Sequence, residues 1–164
     1  VVSEGGFEVI GRPFTASSGN VAVTTSEIPL VAIRLKSDYK RTNAIITGYN
    51  VGTRDNNPDG VQYRLRFYLA PTTDPTTGGT WASVNDNSFV ESKVPTSLDT
   101  TNSIIVMSSY TSKRTNESEK NSNERKINLT FDIDGNYGDI AVLTGQGLTS
   151  TVNLSSSIQW SEIR

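Results

Sequence analysis

Apolar and polar residues alternate most cleanly in Val61-Gln62-Tyr63-Arg64-Leu65-Arg66-Phe67-Tyr68-Leu69. Successive side chains of a strand point to opposite sheet faces, so Val61, Tyr63, Leu65, Phe67 and Leu69 share one face and Gln62, Arg64 and Arg66 the other. The pattern predicts a strand with one core face and one wet face. Ile127 to Phe131 repeats it, as does the terminal series Val152, Leu154, Ser156, Ile158 and Trp160. Leu30 to Lys36 is apolar at both parities, the mark of a more enclosed strand. No stretch of helical length carries a 3.6-residue stripe.

Further segments rich in β-branched and aromatic residues lie between clusters of Gly, Pro, Asn, Asp and Ser. The complete set of expected strands is Phe7–Arg12, Asn20–Thr25, Leu30–Lys36, Ala44–Val51, Val61–Leu69, Thr80–Val84, Ser88–Lys93, Ile104–Tyr110, Lys126–Ile133, Asp139–Thr144 and Thr151–Glu162. Some ten or eleven short strands predict an all-β, two-sheet sandwich in one domain spanning 1–164. Their very unequal connections favour a jelly roll. The expected core is Phe7, Val9, Leu30, Ile33, Leu35, Ile46, Tyr63, Leu65, Phe67, Ile105, Leu129, Phe131, Ile140, Val142, Leu154, Ile158 and Trp160. The stretch from Thr111 to Lys126 has no apolar side chain and reads as a long polar loop, solvated or held by a partner.

Composition narrows the chemistry. The 164 residues contain no His and no Cys. That removes Ser-His-Asp and Cys-His catalysis, thiolate or imidazole zinc sites, disulfides and haem ligation. Ser, Thr and Asn make up about a third of the chain, as suits strands and turns. With 15 basic and 17 acidic residues, a net charge of −2 offers no field for nucleic acid or an anionic membrane. No apolar run is long enough for a membrane helix. The first residue is Val, with neither an initiator Met nor an apolar leader after it, which reads as an excised or processed chain.

Few constellations remain. Asp55, Asn57 and Asp59 precede Gly60 with the spacing that opens an EF-hand calcium loop, but Arg66 stands where the bidentate acid belongs. The stronger reading is a hairpin turn, with an irregular calcium cage as the alternative. The acids of Asp132 to Asp139 are a weaker candidate of the same kind, and no other cofactor is expected. Gly145-Gln146-Gly147 lacks the rest of a dinucleotide fingerprint and reads as a turn. Glu91 and Glu162 are carboxylates of the glycosidase type, but sequence supplies no separation between them. No nucleophile elbow or Ser-x-x-Lys is present, so no enzyme is expected. Arg34, Lys36, Lys40 and Arg41 beside Tyr39 read as a solvated strand end rather than a nucleic-acid patch. Three Asn-x-Ser/Thr matches, at Asn116, Asn128 and Asn153, occur at the frequency chance gives so polar a chain. Trp81 and Trp160 are the large anchors, with core use favoured over a sugar-stacking role for Trp81. Trp81 and the loop charges Lys113, Arg114, Glu117, Glu119 and Arg125 are the candidate partner contacts.

Four pieces of the chain carry a resemblance: Ile28 to Lys36, Tyr68 to Thr73, Thr80 to Glu91, and Ile158 to Ile163. Together they resemble a β-rich domain of tailed-bacteriophage structural proteins, notably marine and cyanobacterial ones. The resemblance implies a virion component such as a capsid decoration, baseplate or fibre-associated domain. It also implies packing against other virion proteins and copies of itself, a trimer being favoured. It carries over no functional residue, and the loop 111–126 lies outside it. The competing expectation is a carbohydrate- or receptor-binding module, calcium-assisted through Asp55, Asn57 and Asp59.

Overall fold

The computed structural model describes residues 12–53, 60–111, 116–120 and 127–163. Thirteen strands occur in these residues and no helix: β1 (Arg12–Val23), β2 (Ile28–Leu35), β3 (Asn43–Thr53), β4 (Val61–Tyr68), β5 (Thr76–Thr77), β6 (Ala82–Ser83), β7 (Val90–Lys93), β8 (Ser97–Leu98), β9 (Ile104–Thr111), β10 (Asn116–Lys120), β11 (Ile127–Leu129), β12 (Ile140–Gly147) and β13 (Val152–Ile163).

All pairings are antiparallel. One sheet runs β1-β13-β3-β10, with β11 also on β3, a second runs β6-β7-β2-β12-β4-β9, and β5 and β8 form a small two-stranded sheet. β10 pairs with Gly48 to Gly52 and β11 with Ala44 to Ile46, so the two share one edge of β3 as an interrupted strand. Counting them once, the frame has eight strands in chain order, and their spatial orders are first-eighth-third-sixth and second-seventh-fourth-fifth. This interleaving, with consecutive strands in opposite sheets except for the paired β4 and β9, is that of a jelly roll.

The core lies between the sheets. β13 alternates strictly, with Val152, Leu154, Ser156, Ile158, Trp160 and Glu162 inward. Leu30, Ile33, Leu35, Ile46, Tyr63, Leu65, Leu129, Leu154, Ile158 and Trp160 are all buried in one cluster, as the pattern requires. Each such side chain contributes about 1.5–3 kcal/mol by leaving water. A second cluster, Ala32, Tyr68, Ile140 and Val142, lies on the outer face of the six-stranded sheet. Trp81 and Leu98 pack on it. Both come from the β4–β9 connection, residues 69–103, which carries β5 to β8 and covers that face. This cover explains why β2 is apolar at both parities.

Several expectations need correction. Ile105 is 49% exposed, because β9 is an outer strand and its register places Ile105 opposite Arg66. Leu69 is 65% exposed, since β4 ends at Tyr68 and the chain turns away through Ala70. Phe131 is only half-buried, beyond the end of β11. The outer face of β4 is a half-buried ionic network rather than a wet surface. Of the expected Asn20–Thr25, Asn20 to Val23 form the end of one long strand, β1, and Thr24 and Thr25 lie beyond it. Gly145-Gln146-Gly147 lies within β12 and is not a turn. Gly145 packs closely there: a Cβ would stand 2.8 Å from Leu154 Cδ1 of the facing sheet, and that side chain would have to shift. The polar stretch 111–126 holds β10, whose ladder to β3 uses backbone groups and needs no apolar side chain. Phe7 and Val9 lie outside the described residues.

Candidate functional site

The register of the six-stranded sheet lays Glu91, Arg34, Ile140 and Tyr68 side by side across its outer face. Arg34 Nε donates to Glu91 Oε1 at 2.6 Å, and the guanidinium carbon lies 4.2 Å from the centroid of the Trp81 ring. Lys93 Nζ is 5.3 Å from the same centroid. The indole Nε1 donates to Asp74 Oδ2 at 2.8 Å, and Lys93 Nζ reaches that oxygen at 3.3 Å. Asp74 Oδ1 accepts from Thr76 N at 2.8 Å and Thr76 Oγ1 at 2.6 Å. Burial alone would raise the Asp74 carboxyl. The hydrogen bonds from Thr76 and Trp81, with the charge of Lys93, outweigh it and hold the group below its ordinary value. Trp81 therefore fastens the covering connection to the sheet. Its N–H is engaged by Asp74 and its ring by the Arg34 guanidinium.

Beside this cluster is a cleft of about 280 Å³ lined by Arg34, Leu35, Ser37, Pro71, Thr72, Asp74, Glu91, Phe131, Asn136, Tyr137, Gly138 and Ile140. Its 130–139 wall is well braced. Asp132 Oδ1 accepts from Asn136 N at 2.7 Å and Tyr137 N at 3.1 Å. Asp139, buried, accepts from Ala70 N at 2.9 Å, Thr130 N at 3.1 Å and Thr130 Oγ1 at 3.1 Å. Asp132 and Asp139, two of the acids in the weak calcium candidate, thus brace this stretch. A Cβ at Gly138 would sit 3.2 Å from the Phe131 ring, so a side chain there would need the ring to give by a few tenths of an ångström. Asn136 and Tyr137 are exposed at the rim. Sequence reading missed this cleft, whose walls come from four separate stretches of the chain.

A second polar cluster lies further along the same face. Glu27 takes a two-pronged contact from Arg66, Nε at 2.6 Å and Nη2 at 2.8 Å, and a third from Arg64 at 3.2 Å. Thr144 Oγ1 adds a bond at 2.6 Å, while Arg64 also donates to Gln62 and Gln146.

The glutamates of the glycosidase alternative are engaged separately, Glu91 with Arg34 and Glu162 with Ser88, Phe89 and Trp160. Among the described residues no group of three or more His, Cys, Asp or Glu converges as a metal site. Asp55, Asn57 and Asp59 lie outside the described residues, as do Lys113, Arg114 and Arg125. Glu117 and Glu119 stand on β10, opposite Val51 and Tyr49.

The free edges differ. β1 carries Arg12, Pro13 and a bulge at Ser17/Gly19, β6 is two residues long, and β10 and β11 are short. β9, at the other end of the six-stranded sheet, has eight residues without a charge or a proline. Ile104, Ile105 and Tyr110 are exposed on it.

No protein family and no curated protein matches the chain. Among solved structures it is weakly similar to that of the infectious bursal disease virus Gx strain, at 13% identity and a TM-score of 0.16, over 93% of this chain and 38% of that one. The VP2 subviral particle of the same virus gives 12% identity and a TM-score of 0.16, over 93% of this chain and 39% of that one. The chain thus spans well under half the length of either. At that score the likeness carries no argument, and the fold assignment rests on the strand order itself.

Proposed function

We propose that this chain is a non-enzymatic structural module of a virus particle, working by packing against copies of itself. The observation that carries the reading is the open edge of β9. Folded proteins blunt such edges with charge, proline, bulges or brevity. β9 has a bulge at Val106, opposite Leu65/Arg66, but over its eight residues neither charge nor proline, whereas β1 has Arg12 and Pro13 besides its bulge and β6, β10 and β11 are short. An uncharged edge that exposes Ile104, Ile105 and Tyr110 would be an aggregation hazard if left bare, so a partner surface is its natural cover. Jelly rolls are a common architecture of capsid proteins, which supports the viral setting by analogy of fold. The finer assignment, to a decoration, baseplate or fibre-associated domain of a tailed bacteriophage, rests on the four sequence pieces quoted above. A two-fold pairing of β9 edges closes a dimer. A contact of β9 with a different surface closes a ring, such as the trimer the resemblance favours.

Light scattering tests this on the full chain. The reading expects a closed oligomer whose mass is the same with and without calcium, and an Ile105→Lys variant that is monomeric and folded, with the melting temperature of the parent at concentrations where the parent has dissociated. A monomer at every concentration, or an Ile105→Lys oligomer as stable as the parent, would contradict it.

A further inference from the structure

We propose that the cleft beside Arg34 and Glu91 binds a neutral sugar ring. Four observations meet there. First, the Arg34–Glu91 pair uses only Nε and Oε1. The two terminal Arg34 nitrogens and Glu91 Oε2 have no other partner among the described residues, so donors and an acceptor stand side by side. Each hydroxyl of a vicinal pair both donates and accepts, and an arginine–carboxylate pair presents the complementary groups. Second, the pair is held before any ligand arrives. Trp81 lies against the guanidinium and is itself fixed through Asp74, which has no spare capacity for a ligand. Third, the exposed Tyr137 supplies an aromatic surface for the apolar face of a ring, and Asn136 adds an amide at the same rim. The Asp132 braces hold that stretch in place. Fourth, the size and charge select the class. At about 280 Å³ the cleft falls at the small end of ligand pockets, which run from roughly 300 Å³, and suits one ring. Arg34 is paired with Glu91 and Asp74 with Lys93, so the cleft has no unpaired cation to draw an anionic sugar in preference to a neutral one. These residues lie away from β9, so the cleft and the assembly reading stand or fall separately.

Saturation-transfer NMR on the full chain, with methyl glycosides of glucose, galactose and mannose and with a sialic acid glycoside, tests the proposal. The expected result is transfer to at least one neutral glycoside. Binding should weaken about tenfold in Tyr137→Ala, whose melting temperature stays at the parent value because the side chain is exposed. Glu91→Gln should lose binding as well. Absence of transfer to all three neutral glycosides, a preference for the sialoside, or undiminished transfer in folded Tyr137→Ala would overturn it.

Discussion

The indole Nε1 of Trp160 donates to Glu162 Oε2 at 2.9 Å, two residues further along the same inward face of β13. Both side chains are fully buried. A buried tryptophan needs a partner for its N–H, and a buried carboxylate needs several donors. Glu162 has the others in Ser88 Oγ at 2.5 Å and Phe89 N at 2.8 Å, so one carboxylate ties β13 of one sheet to the segment leading into β7 of the other. Glu162→Gln keeps the shape but turns an NH₂ toward these donors, and should destabilise the fold by about 1–3 kcal/mol. Equilibrium urea unfolding measures this, and a double-mutant cycle with Trp160→Phe should show coupling between the sites. Additive losses would mean the bond contributes nothing of its own.

Glu27 sets an acid limit on stability. Burial by itself would raise its carboxyl. The hydrogen bonds from Arg66 and Thr144 and the charges of Arg66 and Arg64 prevail and hold it below its ordinary value. A depressed acid contributes stability above its unfolded pKa, about 4.3, and that contribution drains as pH falls through the folded value. Melting temperature should therefore fall below about pH 4, more steeply in the parent than in Glu27→Gln. At neutral pH that variant should lose about 1–3 kcal/mol, between the worth of exposed and fully buried ion pairs.

Leu65 and Ile105 separate core from edge. Leu65→Ala should cost about 2–5 kcal/mol, because the side chain is fully enclosed between the sheets. Ile105→Ala should stay within about 0.5 kcal/mol in the isolated chain, as expected for a surface position. Denaturation midpoints of the two variants check the ordering.

The glycines of β12 should respond unequally to alanine. A Cβ at Gly147 would collide with the backbone carbonyl oxygen of Ser150, which cannot swing aside. At Gly145 the obstacle is the tip of the Leu154 side chain, which can rotate. Gly147→Ala should thus be the more damaging, with Gly145→Ala costing about 1–3 kcal/mol by overpacking. Thermal unfolding of the pair decides it.

The parts of this fold legible in the sequence are those that period-2 alternation reports. The inward row of β13 and the Val61, Tyr63, Leu65, Phe67 row of β4 follow directly from it, and the unequal loops pointed to the crossed strand order. Alternation says which residues share a face, but not which strand is outermost, so Ile105 on β9 read as core. Nor does it report a ladder made of backbone groups alone, and β10 was hidden among polar side chains. Glu162 was visible only as a carboxylate, since its three donors come from Ser88, Phe89 and Trp160 and converge through tertiary structure. The Arg34–Glu91 pair is separated by 57 positions and joined only by the β2–β7 register. Asp74 and Trp81 lie close in sequence, yet their role as an anchor depends on the sheet beneath them.

The central claim is that the β9 edge is covered by another copy of the chain. Amide hydrogen exchange across Ile104 to Tyr110, followed as protein concentration rises, tests it most directly. The account predicts that amides directed away from β4 exchange freely in dilute solution and gain protection in step with the growth in mass. Protection that stays flat while the oligomer forms would contradict it, placing the interface on another surface.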